Sequence, residues 1–156
     1  MSQAKPDLWF SFVRSHRLMI REVERRLAAA GLPAYAWYDF LWGVESAADG
    51  TRRMHELADV LAIERYNLTR LVDRLEEEKL VTRFRSTEDG RAAYVSITAS
   101  GRALRKKMWK IYEKAVAELF LAQFDAGQQE SFALALQEAA RSANESFTEN
   151  SVERRS

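Results

Sequence analysis

Between Arg53 and Thr98 the chain sets two short amphipathic segments, a tight connection and a two-stranded hairpin end to end. Leu57, Ala58 and Leu61 mark one face of a short helix from about Met54 to Leu61. Leu68, Leu71, Val72 and Leu75 mark the inner face of a second, which starts near Glu64. Two strand-like runs come next, Val81 to Arg85 and Ala92 to Ile97, around the polar turn Glu88-Asp89-Gly90-Arg91. The order is helix, turn, helix, wing, and few folds accommodate it. Such a unit lays its second helix in a DNA major groove while the hairpin tip reaches sugar-phosphate or minor groove beside it.

Groove reading needs a helix whose outer face offers cationic and hydrogen-bonding groups while its inner face is locked to a support helix. The segment from Glu64 to Leu80 has that division, with Arg65, Asn67, Thr69, Arg70 and Arg74 outside. Arginine pairs bidentately with guanine and asparagine with adenine, so these side chains are the candidate base and phosphate contacts. The charge distribution agrees. Net charge is only +1, but residues 52–110 carry fourteen basic and nine acidic side chains, whereas residues 111–156 carry four basic and eight acidic.

The flanks read as long helices. Phe12, His16, Met19, Ile20, Val23, Leu27 and Ala30 recur at helical spacing from Leu8 to Ala30, with Asp7 placed to cap the start and Gly31 followed by Pro33 to stop it. A second helix, from about Ala34 to Ala48, is crowded with rings, including Trp37, Tyr38, Phe40 and Trp42. Thr98 is placed to cap a helix striped with Leu104, Met108, Ile111, Ala115 and Leu119. A pause at Asp125-Ala126-Gly127 precedes a last helix, from about Gln128 to Phe147, and residues 148–156 read as a disordered tail. The predicted organisation is residues 1–33 and 99–147 as dimerisation helices around a reader of residues 34–98. The fold class is mainly α with a small two- or three-stranded β-wing. The terminal stripes, represented by Phe12, Met19, Phe132, Leu136 and Phe147, exceed what a small reader covers, so they are expected to pack on each other and on a second copy.

Several function classes drop out on composition. Cysteine is absent and only His16 and His55 are present, which leaves no thiolate chemistry and little for a zinc site. No cofactor or metal is expected. No run approaches the roughly 20 apolar residues that span a bilayer, and the polar start does not read as a secretory signal, so a cytoplasmic protein without a membrane partner is expected. No phosphate-cradling glycine loop, nucleophile elbow or paired-histidine motif stands in the chain, so it is not expected to be an enzyme.

Taken together, Leu57-Ala58-Asp59-Val60-Leu61, Leu68-Thr69-Arg70-Leu71-Val72-Asp73-Arg74-Leu75-Glu76, Leu80-Val81, Asp89-Gly90-Arg91-Ala92 and Ile97-Thr98-Ala99-Ser100-Gly101, in that order and spacing, resemble the MarR family of winged-helix transcriptional regulators. The resemblance covers nearly the whole chain. It implies a homodimer with interlocked terminal helices, each subunit offering a winged helix-turn-helix to one half of a pseudo-palindromic double-stranded DNA operator. It also implies a repressor released by a small anionic, often aromatic, effector bound between the dimerisation and DNA-binding parts. The family's wing pattern falls on Asp89 and Arg91, implying an arginine for the minor groove and an acid that steadies it. Such a groove concentrates negative potential and attracts a guanidinium. Two positions depart from the pattern. Glu64 stands where many relatives place Ser or Thr, and Lys79 where Gly often ends the helix.

Trp9, His16, Trp37 and Tyr38 are the candidate ligand contacts, with rings for an aromatic effector and His16 to answer a carboxylate. The alternative for the same rings is a large aromatic core and dimer seam. For the whole chain, the rival to a DNA-binding regulator is a helical dimeric protein-interaction adaptor with a degenerate winged helix. Retention of Arg70, Arg74 and Arg91 together argues against it.

Overall fold

The computed structural model describes residues 5–88, 90 and 92–153. Asp89 and Arg91, the expected wing-tip pair, lie outside the described residues. In chain order the elements are α1 (Leu8–Ala29), α2 (Tyr35–Glu45), β1 (Thr51–Arg53), α3 (Met54–Leu61), α4 (Arg65–Glu77), β2 (Val81–Arg85), β3 (Ala93–Ile97), α5 (Ala99–Leu119) and α6 (Ala126–Glu153). Short 3-10 turns occupy Ala48–Gly50 and Leu121–Gln123. The chain divides into two compact units at Ala115/Val116.

In the first unit the helix ends obey their capping residues. Asp7 Oδ1 accepts from the Phe10 N–H at 2.8 Å, which opens α1. Gly31 leaves it with φ +71°, a conformation an L side chain resists. Two hydrophobic clusters organise the rest of the unit. Phe40, Leu41 and Val44 of α2 join Leu57, Leu68, Val72, Leu75, Val81 and Val95 in a core that holds α3 and α4 against the sheet. Val23, Leu27, Tyr38, Met108 and Ala115 form a second core between α1, α2 and α5. Glu45 pins the end of α2 to α5 through Arg102 and Arg105.

The sheet has three antiparallel strands in the order β1-β3-β2. β1 is the strand that periodicity does not announce: Thr51, Arg52 and Arg53 pair with Ser96, Val95 and Tyr94. Val81 and Ile97 face each other on the inner side and are buried. Thr98 caps α5 as expected, its Oγ1 accepting from the Gly101 N–H at 3.1 Å.

The second unit is dominated by α6. Asp125 and Gln128 cap its start reciprocally, Gln128 N–H to Asp125 Oδ1 at 2.9 Å and Asp125 N–H to Gln128 Oε1 at 3.1 Å. Edge-to-face rings link Phe120, Phe124 and Phe132. The helix does not stop at Phe147. It continues to Glu153, so the tail expected to be disordered from residue 148 is helical through residue 153. Thr148, Asn150 and Ser151 donate to carbonyls four residues back, bonds that tie polar side chains to the helix itself.

Candidate nucleic-acid interface

The reader is built on the turn between α3 and α4. Ala62 ends α3 in the left-handed region, φ +52°, and the Ile63 N–H returns to the Ala58 carbonyl at 3.1 Å. The chain thereby reverses into α4 within three residues, Ala62, Ile63 and Glu64. Glu64 is the N-cap residue and makes no side-chain cap hydrogen bond, as its replacement of Ser or Thr implies. Leu68, Val72 and Leu75 are buried in the reader core, which fixes which face of α4 looks outward.

Arg65, Asn67, Thr69, Arg70 and Arg74 all fall on the exposed side. Their surroundings differ. The side chains of Arg65 and Asn67 make no polar contact with another described residue. The Thr69 hydroxyl donates to the Arg65 carbonyl at 3.1 Å. Arg70 donates to the Tyr66 phenol at 3.4 Å and lies 5.7 Å from that ring's centroid. Arg74 instead lies over the Trp37 ring at 5.9 Å, toward α2, so it is shared between the outer face and the packing behind it. Tyr66 falls on the same outer face by periodicity but is not among the candidate contacts; it is 70% exposed beside Arg70.

α4 closes in a Schellman arrangement: the Leu80 N–H reaches the Leu75 carbonyl and the Lys79 N–H the Glu76 carbonyl, each at 2.9 Å. Lys79 takes the glycine-like conformation there, φ +58°. The turn delivers the chain directly into β2, whose Arg83 meets the last turns of α4. Arg83 Nη2 lies 2.6 Å from Asp73 Oδ1 and 3.1 Å from Glu76 Oε1, and the Arg83 backbone N–H donates to Glu76 Oε2 at 2.9 Å. That backbone bond, with the guanidinium, holds the Glu76 carboxyl below the usual carboxylate range. Burial opposes the Arg83 charge, but Glu76 and Asp73 outweigh it and push its basicity up. Sequence reasoning misses Arg83. The available signal is its place two residues after Val81, on the strand face that turns inward.

The outward face of the sheet carries Arg53, Tyr94 and Phe84 in one row. Phe84 stacks on Tyr94 with centroids 5.5 Å apart, and Arg53 Nε donates to the Tyr94 hydroxyl at 2.9 Å.

The four candidate ligand contacts occupy different environments. Trp9 is 72% exposed and its ring meets Phe12 at 6.1 Å. His16 is exposed on α1. Trp37 is half-buried against both cores. Tyr38 is 6% exposed, stacked on Trp109 and edge-on to Tyr112. Tyr35 joins that cluster, its hydroxyl 3.3 Å from that of Tyr112, and burial pushes its phenol well above the usual value. Burial also raises the Asp39 carboxyl, against the Tyr35 hydroxyl and the charge of His16, which both favour its ionised form. Phe12, Phe132, Leu136 and Phe147 are exposed in the single chain and Met19 is partly covered. Among the described residues no group of three His, Cys, Asp or Glu stands together to hold a metal, and no helix is long and apolar enough to cross a membrane.

Residues 30–92 match the MarR family. Curated protein sequences give no match. Among solved structures the chain is similar to AbsC, a MarR family transcriptional regulator from Streptomyces coelicolor, with TM-score 0.81 and 20% identity over 92% of this chain and 99% of that one. It is similar to Sco3205, a MarR family transcriptional regulator from the same organism in complex with DNA, with TM-score 0.81 and 23% identity over 87% and 88% of the two chains. It also resembles BpsR from Bordetella bronchiseptica, whose DNA binding is regulated by 6-hydroxynicotinic acid, with TM-score 0.74 and 16% identity over 85% and 98%. At these identities the likeness is one of fold.

Proposed function

We propose that this chain, which belongs to the MarR family through residues 30–92 and has the winged-helix fold of MarR-family structures, is a DNA-binding transcriptional regulator. The observation that carries the reading is the exposed face of α4. Arg65, Asn67, Thr69 and Arg70 stand outward on a helix locked from behind by Leu68, Val72 and Leu75, with three residues between its end and the hairpin. The N-terminal turns of such a helix meet the base edges, and the flanking arginines meet phosphate. By the family pattern Arg91, steadied by Asp89, enters the minor groove.

The protein works as a homodimeric repressor in the cytoplasm, without catalytic activity, on a pseudo-palindromic operator. Residues 34–98 are the reader, and residues 1–33 and 99–147 supply the dimer contacts. Support comes from the exposed apolar side chains on α1 and α6, which a second copy would cover. A small aromatic anion near Trp9, His16, Trp37 or Tyr38 releases the DNA, a reading supported by family analogy and by the regulation of BpsR by an aromatic acid. Such an effector acts only through different affinities for the DNA-bound and released spacings of the two reading helices.

The test is fluorescence anisotropy with labelled duplexes tiled across the DNA flanking the chain's own gene, followed by selection from a random duplex library. One sequence is expected to bind well above the rest, with affinity falling steeply with salt as counterions are released. Arg70→Ala is expected to weaken it by about 1–3 kcal/mol. If no duplex from either source is preferred, the regulator reading fails.

A further inference from the structure

Between Glu64 and Glu78 the reading helix and its flanks carry five carboxylates against three arginines. For an element meant to enter a phosphate-lined groove this balance is unfavourable, and it is unevenly laid out. No acid stands between Arg65 and Arg70, while Asp73, Glu76, Glu77 and Glu78 fill the later turns. Asp73 comes three residues after Arg70, a spacing that brings two side chains onto one helix face. Unopposed, the Asp73 carboxylate would be the natural counter-ion of the Arg70 guanidinium.

It is not. Asp73 Oδ1 is taken by Arg83 Nη2 at 2.6 Å. The same guanidinium spans to Glu76 Oε1, Nη2 at 3.1 Å and Nε at 3.3 Å, while the Arg83 N–H donates to Glu76 Oε2 at 2.9 Å. Arg70 is left with Tyr66 as its partner among the described residues. The guanidinium meets both carboxylates through Nη2 and adds a second bond to Glu76 from Nε.

We infer that Arg83 is a positioning residue for DNA recognition: it draws Asp73 and Glu76 toward the root of the wing, so that Arg70 faces DNA without a carboxylate partner, and it fastens the hairpin to the reading helix. The inference rests on the reading of α4 as the DNA-facing helix. Arg83 acts through Arg70 and does not itself touch DNA. Its loss frees two carboxylates, one of which captures Arg70.

The test is a double-mutant cycle on the native full-length chain with its selected duplex. Arg83→Met keeps the aliphatic stem, and the site is a surface one, so the variant is expected to fold. It should bind about tenfold more weakly, the low end of what one lost bidentate base contact removes. Asp73→Asn should restore most of that loss in the Arg83→Met background while changing the native chain little. Equal gains from Asp73→Asn in both backgrounds would reveal mere charge removal and overturn the inference, as would an unaffected Arg83→Met. An Arg83→Met defect that Asp73→Asn does not relieve would make Arg83 a direct phosphate contact and overturn it equally. A DNA-free measurement separates this inference from the functional reading. The side-chain Nε–H resonance of Arg70 in 15N NMR should move in Arg83→Met and return in the double variant. If it stays in place the inference fails, whatever the chain binds; if it moves while the native chain prefers no duplex, the regulator reading fails and takes the role in DNA recognition with it, leaving only the control of Arg70 by Arg83.

Discussion

Gly101 sits where α5 leaves the wing, and adding one carbon there sets two opposing effects against each other. A Cβ on Gly101 would lie 2.2 Å from the Leu80 carbonyl oxygen and 2.8 Å from Ile97 Cγ1. Helix propensity favours alanine by up to about 1 kcal/mol in a helix interior, and less in a first turn. The steric term works the other way and cannot be relieved by a rotamer change, because the obstacle is backbone. That carbonyl also accepts from the Thr98 N–H at 3.0 Å and lies 3.0 Å from the Thr98 hydroxyl, the group that caps α5. Overpacking of this kind costs about 1–3 kcal/mol, and displacing the Thr98 bonds adds on the order of 0.5–1.5 kcal/mol each. The clash therefore outweighs propensity, and Gly101→Ala should destabilise the protein by about 2 kcal/mol. At this chain length that corresponds to a fall of about 4–8 °C in melting midpoint. Circular dichroism melts of both proteins at matched concentration are the assay, since the proposed dimer would make the midpoint depend on concentration. An unchanged or raised midpoint would refute the close approach of α5 to Leu80.

Three further outcomes are expected. Lys79→Gly should raise the melting midpoint by a few degrees, because a left-handed L residue at φ +58° costs about 1–2 kcal/mol that glycine avoids, less the entropy glycine adds to the unfolded chain; a lower midpoint would count against it. Asp39→Asn should stabilise the protein at pH 7, since burial raises the carboxyl and its ionised form is the disfavoured one in the fold. The group stabilises only while protonated, so the gain should vanish as pH falls below the unfolded carboxyl's pKa of about 3.9, and a gain that persisted at pH 3 would contradict the assignment. In sedimentation equilibrium the chain should run at about twice 18.0 kDa, and Phe132→Glu with Leu136→Glu should drive it toward monomer; a native monomer at micromolar concentration would remove the dimer proposal.

Much of the fold is legible because single residues carry unambiguous instructions. Asp7 and Thr98 cap the helices they precede, and the stripe Leu68, Val72, Leu75 turns the right face of α4 inward. Reading is weakest where structure depends on a distant partner. Thr51-Arg52-Arg53 has no alternation of its own and becomes β1 only because β3 offers it a free edge. Periodicity extends the second helix to Ala48, yet it ends at Glu45, and Asp49 with φ +62° bends the chain toward that edge. α6 outruns its apolar stripe, and polar side chains beyond Phe147 bond back to carbonyls of the same helix. At the site, the exposed set on α4 is set by periodicity alone. The partners of that set are legible only in part: Tyr66 is an i,i+4 neighbour of Arg70 on the same helix, whereas Trp37 behind Arg74 and Arg83 across Asp73 and Glu76 arise from how α2 meets α4 and from strand register.

The three-stranded sheet also bears on resistance to aggregation. Both outer strands are rich in arginine, with Arg52 and Arg53 on β1 and Arg83 and Arg85 on β2, while the middle strand from Ala93 to Ile97 has no charged side chain. Open strand edges invite another chain to add on, the first step toward fibrous or amorphous aggregates, and bulky cations there make such docking unfavourable. The arginines of the outer strands thus also oppose pairing of either strand with another chain, and variants that remove them are expected to aggregate more readily.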